Sequence, residues 1–216
     1  MAGLVSIGGR RAEKAGTPTV ADAQISISEP ERYVGRGGHK LEAALQAFAI
    51  DPAGRVCLDV GASTGGFTDC LLQHGAQRVH AIDVGHGQIH WRLRDDPRVI
   101  VREGLNARHL TFEDLGERVG FVTADVSFIS LTLVLGPAFE LMEEGATMVA
   151  LIKPQFELAA ADVGRGGIVR DNDLRLRAAE KIRDWVTARG ARWLGCIDCP
   201  VAGRDGNVEF LAHLAP

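Results

Sequence analysis

The feature that most constrains this chain is Val56-Cys57-Leu58-Asp59-Val60 running directly into Gly61-Ala62-Ser63-Thr64-Gly65-Gly66, and then into residues at helical spacing. A β-type run, a tight glycine loop and a helix make a βα unit in which backbone comes close to a ligand. The loop spacing is Gly-x-x-x-Gly-Gly, not the Gly-x-Gly-x-x-Gly of dinucleotide-binding turns. Asp59 stands at the end of the run, where a carboxylate repels a pyrophosphate and suits a ligand with a free amino group. Asp83 ends the next apolar run, 22 residues after Gly61, where an acidic side chain accepts hydrogen bonds from ribose hydroxyls. The competing reading of the same residues is a βα turn whose glycines serve packing alone.

Strand-like and helical segments alternate through most of the chain. Leu41, Ala44, Leu45 and Phe48 open a helix after Lys40, and further helices are predicted over 66–73, 131–142 and 173–189. Apolar runs at 56–60, 79–83, 99–101, 121–125 and 148–153 lie among them. This alternation implies parallel strands covered on both faces, a doubly wound α/β sheet. Residues 193–199 and 208–214 flank a turn containing Gly203, Asp205, Gly206 and Asn207, which predicts an antiparallel terminal hairpin. A seven-stranded, mostly parallel sheet of this kind is the Rossmann-like class I methyltransferase architecture. S-adenosylmethionine, with a ribose, an amino group, a sulfonium and no phosphate, suits both Asp59 and Asp83. Ahead of the alternation, 4–7 and 23–27 read as short hairpin strands without a core, and 28–38, with Pro30 and three glycines, as a linker.

Composition bounds the class. A chain of 216 residues, 46% hydrophobic and 24% charged, has room for one good-sized globular domain and a short appendage. No apolar run approaches the ~20 residues needed to cross a bilayer, and the first eleven residues lack a secretion signal, so a cytoplasmic protein with no membrane partner is expected. Four cysteines in a chain this long point to free thiols. Cys196-x-x-Cys199 has no second pair and the histidines show no ligand spacing, so no metal is expected. The formal charge of -4 hides a front end, residues 1–40, that is net positive. Lysine occurs only at 14, 40, 153 and 181 among 24 basic residues.

Ligands of open α/β sheets bind beyond the carboxyl ends of the strands, and Asp125 and Lys153 both fall there. Lys153 follows a wholly apolar run and precedes Pro154, so its nitrogen emerges at the sheet top, where desolvation favours a neutral amine. Lys40 sits near a helix start, where the dipole disfavours a cation; a plain surface lysine is the alternative. Glu209 can reach the same face from the last strand, or be an exposed carboxylate.

The runs Arg36-Gly37-Gly38-His39-Lys40-Leu41, Leu58 to Asp69, Asp125-Val126-Ser127-Phe128-Ile129-Ser130 and Lys153-Pro154-Gln155-Phe156-Glu157 closely resemble the TlyA family, whose members are called haemolysins or ribosomal RNA 2′-O-methyltransferases. The resemblance covers nearly the whole chain. It implies an FtsJ-like catalytic tetrad at Lys40, Asp125, Lys153 and Glu209. It further implies that S-adenosylmethionine is held by Asp59, Gly61, Ala62, Ser63, Thr64, Gly65, Gly66, Phe67, Asp83, Asn106 and Asp125. Ribosomal RNA or ribosomal subunits are the implied partner, with Arg32, Arg36, His39, Arg165 and Arg170 as RNA contacts. By the same resemblance, residues 1–28 are a remnant of an α-L RNA-binding domain, entered near its end, 29–34 a linker and 35–216 the methyltransferase domain; weak RNA recognition by this chain alone is therefore expected. After Asp171 the family continues with Pro and a nearby His, where this chain has Asn172 and Arg175.

Two other classes compete with the enzyme: a haemolysin-like membrane-active protein and a non-catalytic ribosome-binding module. The helix at 173–189 is amphipathic and carries five basic residues, but its acidic residues nearly balance them, and packing on the sheet explains it better than lysis.

Overall fold

The computed structural model describes residues 5–12, 14, 16–27, 31–203 and 206–216. Leu4, Pro30 and Asp205, which fall in the predicted strand, linker and turn, lie outside them. The chain divides into two compact units, Met1–Arg32 and Tyr33–Pro216. In the smaller, β1 (Val5–Ile7) pairs antiparallel with β2 (Arg10–Arg11) and with β3 (Ile25–Ile27).

The larger unit opens on residues expected in a linker. Tyr33 is 2% exposed, and the Val34 N–H donates to Asp69 at 2.8 Å. Helix α1 (Gly37–Ala47) follows, burying Leu41, Ala44 and Leu45 at helical spacing. Then come β4 (Val56–Val60), α2 (Gly66–Gln73), β5 (Arg78–Asp83), α3 (Trp91–Arg94), β6 (Val99–Glu103), α4 (Phe112–Leu115) and β7 (Val119–Ala124). The helix predicted over 131–142 is broken into a 3-10 turn, Leu131–Leu133, and α5 (Leu135–Glu140). Pro137 has no N–H to give to the fourth residue before it, so a helix cannot run unbroken from Leu131. Strand β8 (Met142–Ile152) starts earlier than predicted. It leads to α6 (Pro154–Glu157), α7 (Asn172–Thr187), β9 (Arg192–Asp198) and β10 (Phe210–Ala215).

The seven strands of this unit run in the order β6-β5-β4-β7-β8-β10-β9. β4 to β8 are parallel neighbours, and β10 is antiparallel to both β8 and β9. The last strand thus inserts inside the sheet and leaves β9 at the edge. Composition explains the choice. β10 is apolar but for His213 and is buried along nearly its whole length, whereas β9 alternates with Arg192, Leu194 and Asp198 exposed. Two hydrophobic clusters cover the two faces of the sheet: α1 and α2 pack on one, α5 and α7 on the other. This is the Rossmann-like class I methyltransferase fold, with its mostly parallel sheet and antiparallel terminal hairpin.

Candidate active site

The carboxyl ends of β4, β5, β7 and β8 open into a crevice of two adjoining lobes, about 610 and 560 Å³. Gly61, Ser63, Asp125, Ser127 and Phe128 line both. Gly61 (φ +85) and Gly65 (φ +94) take backbone angles that disfavour side chains. What a Cβ would strike there is protein: the Asp125 carbonyl oxygen at Gly61, and the Leu93 side chain at Gly65. At Gly66 it would meet the backbone of Gly38 and Gly35 at 3.0 and 3.2 Å. These glycines let β7, α3 and the start of α1 close around the loop. Ala62, Thr64 and Phe67 line the first lobe with Gly61, Ser63 and Gly66, while Gly65 faces Leu93 and Ile89.

The two strand-end aspartates differ. Asp59 is wholly buried beneath the loop, accepting from Thr68 Oγ1 at 2.7 Å and Thr123 Oγ1 at 2.9 Å. Desolvation pushes its carboxyl up to about 6, against the two hydroxyl hydrogen bonds that lower it. It lines neither lobe, so its action on a ligand is indirect. Asp83 lines the second lobe and accepts the N–H of Ser63 at 2.8 Å and of Gly85 at 2.7 Å. The first of these bonds helps hold Ser63 at φ +48. Asn106 lines the same lobe, its side-chain oxygen capping Arg108 N at 3.1 Å.

Lys40, Asp125, Lys153 and Glu209, carried by α1, the segments after β7 and β8, and the approach to β10, converge on the first lobe. Lys40 Nζ donates to Glu209 Oε2 at 2.5 Å, with Lys40 8% and Glu209 2% exposed. A buried ion pair explains why a lysine stands in the first turns of α1. Lys153 Nζ lies 2.6 Å from Asp125 Oδ1 and donates to Ser127 Oγ at 2.9 Å. Arg36 lines this lobe, as do Gly166 and Gly167 beside the exposed Arg165. His39 lies outside both lobes, edge-on to Tyr33 at 5.1 Å. Arg170 is exposed before α7, and Arg32 is exposed in the smaller unit.

Among the residues of the first lobe without an assignment from sequence are Ser127, Phe128, Phe156 and Asn207. Phe128 has φ +64 and is 88% exposed, with its ring 5.2 Å from that of Phe156. An exposed phenylalanine in a left-handed conformation has no periodic signature. Buried Asn207 donates to Gly167 O at 2.8 Å and accepts from Val169 N at 3.0 Å, clamping the glycine segment over the lobe. The four cysteines are free, and burial pushes Cys57 up to about 12 and Cys196 up to about 11, which leaves those thiols poor nucleophiles. Among the described residues no group of three or more His, Cys, Asp or Glu is placed to hold a metal ion.

An FtsJ-like methyltransferase family model matches residues 33–215. The 16S/23S rRNA (cytidine-2′-O)-methyltransferase TlyA of Mycobacterium tuberculosis is 48% identical over 216 residues, which cover 99% of this chain and 80% of that protein. Hemolysin A of Brachyspira hyodysenteriae is 39% identical over 99% of this chain and 89% of its own length. A solved structure from Streptococcus thermophilus, described as a hemolysin, superposes with a TM-score of 0.84 at 41% identity, covering 99% of this chain and 79% of that one. With Lys40, Asp125, Lys153 and Glu209 gathered at the carboxyl edge of a class I methyltransferase sheet, the chain belongs to the FtsJ-like methyltransferases, in the TlyA family.

Proposed function

We propose that this protein methylates ribose 2′-hydroxyls of ribosomal RNA. The observation that carries the reading is the convergence of Lys40, Asp125, Lys153 and Glu209 on one lobe, next to a lobe suited to a nucleoside. The RNA substrate is supported by the activity named for the M. tuberculosis relative. The cofactor, S-adenosylmethionine, fits the donor set. The second lobe has apolar walls, including Ile82, Val126 and Ile129, carries Asp83 and Asp125, and has Arg108 as its one lining cation among the described residues. That balance favours a positively charged nucleoside over a pyrophosphate. Asp83, Asn106 and the loop from Gly61 to Phe67 would hold it. When bound, S-adenosylmethionine supplies an electrophilic sulfonium methyl.

A ribose hydroxyl is a poor nucleophile, so positioning and proton removal carry the rate. Lys153 orients the hydroxyl and takes the O2′ proton at Nζ. Asp125 then pairs with the resulting ammonium, and Ser127 accepts one of its N–H groups. Lys40 and Glu209 complete the frame within the same lobe. Exposed Phe128, backed by half-buried Phe156, offers an aromatic surface on which an unstacked base can rest. Arg36, Arg165 and Arg170 are read as phosphate contacts, joined by Arg32 and His39. Residues 1–28, with Arg10 and Arg11 exposed, are read as part of an RNA-binding domain, 29–34 as its linker to the methyltransferase domain at 35–216, and the protein as acting in the cytoplasm.

The test is transfer of tritiated methyl from S-adenosylmethionine to isolated ribosomal subunits, followed by mapping. Label on ribose is the expected result; label on bases alone, or none on RNA, overturns the reading. The membrane-lytic alternative loses its main candidate, because α7 buries Ala178, Ile182 and Val186 against the sheet. No described helix is long and apolar enough to cross a membrane.

A further inference from the structure

Glu157 is a buried carboxylate with no part in the chemistry above. It ends α6, four residues after Lys153, and is 5% exposed. Its Oε1 accepts the Leu131 N–H at 2.7 Å, and its Oε2 accepts Ser130 Oγ at 2.5 Å and Lys181 Nζ at 2.9 Å. Lys181, from α7, also donates to the Glu157 carbonyl oxygen at 2.7 Å. A carboxylate placed under cover needs such partners, because an unpaired buried charge is strongly unfavourable.

The consequence lies in what these bonds join. Asp125 and Lys153 tie the ends of β7 and β8 together at 2.6 Å. Glu157 ties the same two segments a second time, beyond Ser130 on one side and at the end of α6 on the other. The chain from Asp125 to Leu131 is thereby held at both ends against the chain from Lys153 to Glu157. Within this closed frame lie Ser127, which accepts from Lys153, and Phe128, whose φ of +64 persists only where its surroundings fix it.

We infer that Glu157 and Lys181 form a positioning pair that sets Ser127 and Phe128 against Lys153 for methyl transfer. The inference rests on the proposed activity, yet it also has a readout that does not depend on it. In folded Glu157→Ala, kcat should fall about 100-fold, the scale of an ångström misplacement, while the Kd for S-adenosylmethionine by calorimetry stays within about twofold of wild type. Glu157→Gln keeps an acceptor for Leu131 but removes the charge paired with Lys181, and should fall less. Lys181→Met should lower kcat about tenfold, and Lys181→Arg should recover most of that loss. Native-state hydrogen exchange should show the Leu131 amide opening faster in the Ala, Gln and Met variants, with the β7 and β8 amides unchanged. Wild-type kcat in folded Glu157→Ala overturns the inference, as does a kcat loss matched by equal losses of cofactor binding and thermal stability, the pattern of a purely structural residue. If the wild-type protein transfers no methyl to ribosomal subunits, the functional reading fails, and unchanged Leu131 exchange would still reject the positioning role.

Discussion

Around the glycine loop, carboxylates are satisfied by neutral donors: Asp59 by two threonine hydroxyls, Asp83 by two backbone N–H groups. In the adjoining lobe they are paired with ammonium groups, Glu209 with Lys40 and Asp125 with Lys153. Neutral donors hold a loop in place without adding charge, which suits a cradle. Carboxylates paired with lysines at a cavity wall orient the lysine nitrogens beside the reacting atoms. The comparison separates residues that shape the crevice from residues that act in it, and it can be broken at four places.

The largest effect is expected at Lys153. Lys153→Ala should lower methyl transfer on the order of 10³-fold, about 4 kcal/mol of barrier, and leave calorimetric binding of S-adenosylmethionine intact. Full turnover would remove Lys153 from the chemistry.

Next comes Lys40→Met, which strands the buried Glu209 carboxylate and should destabilise the fold by at least about 3 kcal/mol in urea unfolding. Adding Glu209→Gln should recover much of this. Equal stability of wild type and Lys40→Met would mean that the pair is not effectively buried.

Asp59 sharpens the contrast through pH. Its folded-state value of about 6 lies above the ordinary 3.8, so the native state binds the proton more tightly than the unfolded chain. The stability contributed by protonated Asp59 is therefore full below about pH 4 and lost as pH rises through about 6, a change of about 3 kcal/mol. Urea unfolding of wild type and Asp59→Asn between pH 4 and 7.5 should give curves that diverge across that window; parallel curves count against the shift.

The smallest effect is expected at Asp83. Asp83→Ala should weaken S-adenosylmethionine about 10- to 100-fold through lost hydrogen bonds to a charged acceptor. Unchanged affinity would place the cofactor away from the second lobe.

Much of the fold is legible in the order of residues. Val56–Val60 and Gly66–Gln73 have the predicted bounds, because an uninterrupted apolar run and a glycine loop leave few alternatives. The helix predicted over 131–142 misses the break imposed by Pro137, and its end falls in β8. The spacing of the loop glycines suggests room made for a ligand, whereas the contacts that forbid a Cβ are with Asp125, Leu93 and the start of α1. Such contacts join segments far apart in the chain and leave no local pattern.

The sequence by itself determined the alternation of strands and helices, the acid–glycine–acid arrangement at the first two strand ends, and the rarity of lysine that singled out Lys40 and Lys153. Each is a property of neighbouring residues or of counts, and so survives without coordinates. Only the tertiary structure decided that the last strand inserts between β8 and β9, that Asp59 is sealed off while Asp83 is not, and that Lys40 meets Glu209 across 169 residues. It alone showed Glu157 and Asn207 holding loops from within. Those outcomes depend on which polar groups find partners once water is excluded, and a buried group's partner is set by packing in space, not by distance along the chain.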